Sequence, residues 1–550
     1  MPSYESINLH PDTHRPSSLK TTTYDVVVFG TGWAGRIAAY NCAAAGLSVL
    51  TIEKELIGGD CPFWACLPTK ALLRPNEALE EVRRVRGARE KLMPTTSCAD
   101  SSGVDVDAVF TRRDRFCFSW DDTAVQVPNI EGNGCDIVRG VGRLVGVRVV
   151  RITFEVGGSV EEVKVQARFA VVMATGSEPV VPGIPGLAAA KPWTNREASS
   201  SSIAPESLFI IGGGVVGVEM ATIYQSFGSK IILASRSDEL LPAFDSEAGK
   251  MVRERLVSRG AHVLTSASVT KVTRKDLRSP VVVTVTGADG TSQEISAAEI
   301  LVAAGRRAGT TDLGLDSVGV NLEAGQPFAV DDSLLVRDVP SHSPDSDDGG
   351  PWLYAAGDAN GRAILTHNAK YHGRICASAI IARLSISPEG QLPKVTTPES
   401  PFSTATGDGR ARPQVIFSDP QVATVGLMRR SAAAACKAIR TATVPVWLLA
   451  ADLHAEELED PYRGGWAQWV IEEGSGVLLG ATFVGAAVAE LLHPSTVAIV
   501  GRLTVEQLVH AIPPFPTMSE LYLNLVEAAL VETIPCPPHR WRETGPIFLA

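Results

Sequence analysis

Two cysteines carry the first chemical signal in this chain. They lie in the run Gly58-Gly-Asp-Cys61-Pro-Phe-Trp-Ala-Cys66-Leu-Pro68-Thr-Lys70. At this separation two sulfurs can bridge across roughly one turn of chain. Pro68, just ahead of the Ala71–Leu73 run, is a helix-start signal, so Cys66 is expected at a helix N-terminus. There the helix dipole lowers a thiol pKa and favours the nucleophilic thiolate. The spacing alone more often marks two core thiols, and on these residues both readings stand.

Two glycine-rich turns carry the second signal. Gly30-Thr-Gly32-Trp-Ala-Gly35 follows the apolar run Tyr24–Phe29 and opens an Ala-rich helix to Ala45. A strand over Leu47–Ile52 comes next and ends at Glu53. Glycines let the backbone turn tightly and approach a pyrophosphate, whose charge then sits at a helix N-terminus. A carboxylate at Glu53 can accept hydrogen bonds from a ribose. Gly212-Gly-Gly214-Val-Val-Gly217 repeats the plan between a strand at Leu208–Ile211, a helix to Phe227 and a strand at Lys230–Ala234. Ser235 and Arg236 replace the carboxylate in this second unit. A carboxylate would repel a 2′-phosphate, whereas Ser and Arg can bind one, so NADPH is favoured over NADH. The bland alternative makes Arg236 a solvated turn residue.

With these motifs the chain resembles the pyridine nucleotide–disulfide oxidoreductases, the family of dihydrolipoamide dehydrogenase, glutathione reductase and mercuric reductase. Its cysteine segment matches the family's Gly-Gly-x-Cys-x4-Cys-x-Pro-Ser-Lys pattern, with Thr69 in place of Ser. Further family marks follow in order: Ala174-Thr175-Gly176, Ala304-Gly305-Arg306-Arg307, Tyr354-Ala-Ala-Gly357-Asp358, and Ile416-Phe-Ser-Asp-Pro420 through Val425-Gly426. The resemblance runs from about Tyr24 to about Leu530 and implies an α/β fold. Two Rossmann-like domains, for FAD and NAD(P)H, would be joined to a C-terminal α+β dimerisation domain. FAD would be held by residues 1–190 and 311–405, NAD(P)H by 191–310, and 411–550 would form the interface of a homodimer. The implied electron path runs from NADPH through FAD to a Cys61–Cys66 disulfide and on to a small-molecule acceptor. In that path Cys66 is the flavin-proximal thiolate and Cys61 the interchange thiol. Lys70 and Glu219 resemble the family's ion pair beside the flavin, and Asp358 the residue that holds its ribityl chain.

One departure bears on catalysis. Disulfide-reducing members carry a C-terminal His-x-His-Pro-Thr-x-x-Glu segment whose His–Glu dyad moves protons between thiols. Here the segment is Ile512-Pro513-Pro514-Phe515-Pro516-Thr517-Met518-Ser519-Glu520. Phe515 cannot titrate, so the usual general acid–base has no obvious actor. Glu520 is retained as a catalytic candidate, although Thr517-x-x-Glu520 before an apolar run also reads as a capping box. An aromatic residue at position 515 points toward a mercuric-reductase-like sub-branch. The acceptor then stays open between a disulfide or small electrophile, a tailoring step in small-molecule biosynthesis, and a metal ion. A nucleotide-bound sensor with vestigial thiols is the non-enzymatic alternative. Cys536 stands near the C-terminus without a vicinal partner. Among other histidines, His372 is a better substitute base than His367, His493 or His510.

The elements needed to position these groups fit the chain's composition. It has 550 residues, 45% hydrophobic and 20% charged, enough for several domains with real cores and unlike a disordered chain. A net charge of −11 disfavours nucleic acid as a partner. Uncharged stretches such as Ile37–Ile52 are too short to span a membrane. The polar N-terminus lacks a signal's apolar core, and nine cysteines cannot all pair within one chain. Both features predict a cytoplasmic protein. No Cys/His spacing predicts a metal site. Ala198–Pro205, Pro340–Pro351 and Leu392–Pro413 read as linkers or surface insertions.

Overall fold

A computed structural model describes residues 4–92, 103–340, 350–384, 403–434, 438–446 and 465–530. Thr23–Phe29 is buried from Tyr24 onward, as expected of a strand covered on both faces of a parallel sheet. It pairs in parallel with Val49–Glu53 on one side and with Ser159–Met173 on the other. Asp136–Arg139 extends the sheet beyond Val49–Glu53, and Leu353–Ala355 pairs in parallel with the end of Ser159–Met173. The hairpin of Val141–Gly146 and Val149–Val156 completes seven strands through antiparallel pairing. The helices Trp33–Ala44 and Thr366–Arg383 pack closely against each other in the same core. Their crossing is tight at Gly373, where a Cβ would lie 2.6 Å from the Ala34 carbonyl oxygen.

The second glycine-rich unit repeats this geometry. Ser207–Ile211 pairs in parallel with Lys230–Ala234 and with Glu299–Val302, and Val215–Ser226 is the intervening helix. Both Rossmann-like units belong to one compact body formed by 1–75, 104–236 and 266–408. The other body comprises 76–103, 237–265 and 409–550. It holds a five-stranded antiparallel sheet in the order 414–416, 421–426, 478–485, 466–472, 439–445. Trp469, Phe483, Leu521 and Leu525 form part of its core. Glu80 and Asp419 within it are paired with Arg84, Arg255 and Arg259. The expected α/β architecture with an antiparallel C-terminal portion is therefore present. No helix among the described residues is long and apolar enough to cross a membrane.

Two of the expected linkers are corrected in part. Asn195–Ser200 is a helix with a Thr194–Glu197 capping box, and Ala198, Ser199 and Ser200 are buried. Its serines survive burial because Ser199 donates to the Trp64 carbonyl and Ser200 to the Arg196 carbonyl. The far end of the 392–413 stretch is also structural, since Ser403, Ala405 and Asp408 are buried. Residues 392–402 and 341–349 of the expected linkers lie outside the described residues.

Candidate active site

The two glycine turns share a division of labour. A Cβ at Gly30 would meet the Ala174 carbonyl oxygen at 2.4 Å, and one at Gly35 the Gly30 oxygen at 2.0 Å. The middle residue Gly32 faces open space and caps the helix Trp33–Ala44. Gly212, Gly214 and Gly217 repeat the pattern, with Gly214 open at the cap of Val215–Ser226. Outer glycines thus permit tight packing while the middle one leaves a helix N-terminus approachable, the arrangement that receives a pyrophosphate. Glu53 is buried, and its Oε2 accepts from Thr31 N–H at 2.9 Å and Thr31 Oγ1 at 2.7 Å. Its Oε1 accepts from the Lys54 and Glu55 amides. In the second unit Ser235 is buried while Arg236 is exposed.

The cysteine segment folds against the first turn. Gly58 and Gly59 have φ of 134° and 73°, and a Cβ at Gly59 would lie 2.8 Å from Gly32 Cα. A short helix, Asp60–Phe63, carries Cys61, and Cys66 opens the helix Cys66–Arg84 as its proline implied. Both are free thiols. Cys66 Sγ also lies 3.1 Å from Thr366 Oγ1, at the start of the helix Thr366–Arg383. The neighbouring Cys61 thiol, helped by Thr366 and the Lys70 charge, brings the Cys66 pKa down to about 6 against the opposing effect of burial. Cys66 and burial push the Cys61 pKa strongly upward. These influences favour the thiolate at Cys66 and the protonated thiol at Cys61.

Lys70 lies one helical turn beyond Cys66. Its Nζ donates to both Glu219 oxygens, at 3.0 and 2.8 Å, with Glu219 buried and Lys70 partly exposed. Asp358 is half-buried, and its Oδ2 accepts from Ser177 Oγ at 2.6 Å. Burial raises its pKa, against which the Ser177 bond acts. Arg306 Nε donates to that same Ser177 oxygen at 2.7 Å, and its Nη2 reaches Asp60 Oδ2 at 2.6 Å. One arginine thereby ties the Asp358 segment to the residue preceding Cys61. Arg196 holds the other Asp60 oxygen. Gly305 has φ of 117° and open space at its Cβ position, and its carbonyl accepts from the Val180 amide. Gly357, with φ of 72°, sits where a Cβ would meet Ala34. Ala174 is buried beside Gly30, Gly176 faces open space, and Thr175 Oγ1 is buried with no hydrogen-bond partner among the described residues.

The substitute bases do not join this group. His372 is fully buried, its Nδ1 accepts from the Gly357 amide, and its Nε2 meets Asp408 at 2.8 Å. Nδ1 thus holds the Gly357–Asn360 turn, while Nε2 is committed to Asp408. His367, His493 and His510 are exposed. Phe515 is exposed as well, and the capping-box reading of Thr517 and Glu520 is corrected. Thr517 Oγ1 donates to the Pro514 carbonyl instead, and Glu520 Oε2 is buried without a hydrogen-bond partner among the described residues. Sequence reading missed Thr366, Asp60, Ser177 and the structural part played by Arg306. Arg306 and Asp60 stood inside quoted motifs, whereas Thr366 and Ser177 carry no spacing signal.

A family model described as "Pyridine nucleotide-disulphide oxidoreductase" matches residues 24–373. A second, for the dimerisation domain of the same family, matches residues 412–526. Dihydrolipoyl dehydrogenase of Rhizobium etli is 28% identical, covering 90% of this chain and 96% of that protein. Mercuric reductase of Staphylococcus aureus is 25% identical over 90% of this chain and 81% of its own length. Among solved structures, a Cu(II) complex of the HOCl-induced flavoprotein disulfide reductase RclA from Escherichia coli shares the fold. Its TM-score is 0.71 at 21% identity, with 92% of this chain and 99% of that one covered.

Proposed function

The chain belongs to the pyridine nucleotide–disulphide oxidoreductases, FAD-dependent enzymes, and from that premise we propose that it uses NADPH to reduce a small-molecule disulfide through Cys61 and Cys66. The observation that carries this reading is the pair of free thiols Cys61 and Cys66 in one short segment, with Thr366 Oγ1 3.1 Å from Cys66 Sγ and the Lys70–Glu219 pair one turn away. The residues present suit FAD, because the Gly30–Gly35 turn leaves an approachable helix N-terminus and Thr175 Oγ1 lacks a partner among the described residues. That turn would take the pyrophosphate, Glu53 a ribose and Asp358 the ribityl chain, with Ala174–Gly176, Gly305 and Gly357 as backbone around them. When bound, FAD supplies a two-electron link between the nicotinamide and the sulfurs.

The chain's own residues then divide the work. Cys66 is held as thiolate by the Thr366 hydroxyl and the Lys70 charge, and Glu219 fixes the Lys70 ammonium. Cys61 attacks one sulfur of the acceptor, R–S–S–R, forming a mixed disulfide and releasing RSH, which takes up the Cys61 proton. Cys66 thiolate attacks Cys61 Sγ, re-forming the internal disulfide and releasing the second thiolate, which is protonated from solvent. Net consumption is NADPH, one proton and R–S–S–R; the products are NADP⁺ and two RSH. The exposed Arg236 supports the 2′-phosphate preference. A homodimer of this chain fits the matched dimerisation domain.

Anaerobic titration with NADPH tests the relay. Wild type takes up more than two electrons per FAD and develops a long-wavelength thiolate–flavin absorbance, which Cys66→Ser abolishes. An unchanged spectrum in Cys66→Ser overturns it. Turnover with NADPH and NADH against lipoamide, glutathione disulfide and mercuric ion then identifies the acceptor class. Slow lipoamide turnover is expected, because Phe515 supplies no base.

A further inference from the structure

His372 is a buried titratable group that the thiol relay does not use. It sits on the helix Thr366–Arg383 with a polar partner at each ring nitrogen. The Gly357 nitrogen lies 3.2 Å from Nδ1, and Asn360 Nδ2 lies 3.4 Å from the same atom. The two Asp408 oxygens lie 3.0 and 2.8 Å from Nε2. A backbone N–H only donates, and an ionised carboxylate only accepts. Nδ1 is therefore the bare nitrogen, and the ring proton sits on Nε2 facing Asp408. Asp408 fixes the tautomer, and the ring then presents an acceptor to Gly357.

The turn that begins at Gly357 needs that acceptor. The preceding amide, of Ala356, still belongs to the sheet and donates to the Met173 carbonyl at 3.0 Å. Gly357 is buried and opens the tight turn Gly357–Asn360, so its N–H finds no partner within the turn. Without the imidazole, this donor would bear its full desolvation cost. The turn is also wedged between two helices. A Cβ at Gly357 would lie 2.9 Å from Ala34 Cβ, on the helix opened by the first glycine turn, and 3.4 Å from Ala369 Cβ. Asn360 closes the turn by donating from Nδ2 to the Ala355 carbonyl at 3.1 Å. Asp358 follows Gly357 directly, and Ser177 holds one of its carboxylate oxygens. Asp408 is itself held, 3.4 Å from Arg362 Nη1 and 3.3 Å from Asn368 Nδ2. Support therefore passes from Asp408 through His372 and the Gly357 amide to the backbone that carries Asp358.

We propose that His372, its tautomer fixed by Asp408, is a positioning residue that sets the Asp358 carboxylate for the flavin's ribityl chain by holding the Gly357 amide. The inference rests on the assignment of Asp358 to that chain made above, and adds the groups behind it.

Release of FAD from the diluted holoenzyme, followed by the rise in flavin fluorescence, tests this without any turnover. His372→Gln can still reach Asp408 with its amide but withdraws the acceptor from Gly357, so release is expected about ten-fold faster. His372→Asn places an amide oxygen at the level of Nδ1, so release should stay within about two-fold of wild type. These amides differ by a single methylene, and a histidine that merely fills space would make both behave alike. In an Asp358→Asn background, His372→Gln should add less than about two-fold, because it acts through that carboxylate. Wild-type release in His372→Gln, equal acceleration in the Gln and Asn variants, or a full ten-fold addition in the Asp358→Asn background would each overturn the proposal. Should His372→Gln fail to fold, the Asn variant decides: near-wild-type release supports the acceptor role and about ten-fold acceleration overturns it. Wild type that purifies without flavin overturns the FAD assignment itself, a result distinct from all of these.

Discussion

At the scale of single residues, the two sulfurs are chemically unequal although each belongs to one short segment. Cys66 has three stabilising influences, the Cys61 thiol, the Thr366 hydroxyl and the Lys70 ammonium, and they outweigh its desolvation. Its ordinary value of 9.0 is lowered to about 6, so the fraction ionised rises with pH and is already high at neutrality. The thiolate–flavin absorbance of the reduced enzyme should therefore be present at pH 7.5 and disappear as pH falls through about 6. A spectrophotometric titration reads this directly, and a midpoint near 9 would remove the basis for assigning Cys66 as the thiolate. Replacing Thr366 by Val should move that midpoint upward, because the sulfur loses one donor. These cysteines and the glycines were legible from spacing and type. Thr366 and the pairing of Asp60 with Arg196 and Arg306 were not, because their meaning depends on side chains brought together from segments remote in sequence.

Among the elements, the pair Trp33–Ala44 and Thr366–Arg383 does the positioning. One face of the second helix presents Thr366 to Cys66, Lys370 to Trp33 and Gly373 to the first helix. At Gly373 an added Cβ would also stand 2.8 Å from Ile37 Cβ and 3.0 Å from the Ala38 nitrogen. None of these atoms is the end of a flexible side chain, so the helices themselves would have to separate. Gly373→Ala should cost about 2 kcal/mol of stability, seen as an earlier denaturation midpoint, and should weaken the thiolate absorbance. Unchanged stability and absorbance together would show that the crossing does not position the thiols. Strands such as Thr23–Phe29 were readable because burial on both faces leaves a continuous apolar run between turn signals. The Asn195–Ser200 helix was misread because serine-rich composition suggests solvent. In the fold its backbone and hydroxyls instead meet partners such as the Trp64 carbonyl and the Arg113 guanidinium.

For the whole molecule, the question is what covers the apolar surface of the C-terminal body. Ile512 is 89% exposed and Phe515 67%, and Val497, Val500, Val509 and Leu523 are exposed as well. Several large apolar side chains in one body are costly to leave in water, and such surfaces mark association sites. They fall within residues 412–526, the span matched by the family's dimerisation domain, so a second copy of the chain is the fitting occupant. Association also accounts for Phe515 being retained as an exposed aromatic residue, because a side chain that cannot titrate still contributes apolar area. Placing a charge at the most exposed of these positions should oppose burial without disturbing the monomer's core. Ile512→Asp is thus expected to weaken dimerisation at least about ten-fold, visible as a monomer fraction in sedimentation velocity at micromolar concentration, with its flavin spectrum retained. A dimer of unchanged affinity would place the contact elsewhere on the body, and the exposure of Ile512 and Phe515 would then need another explanation.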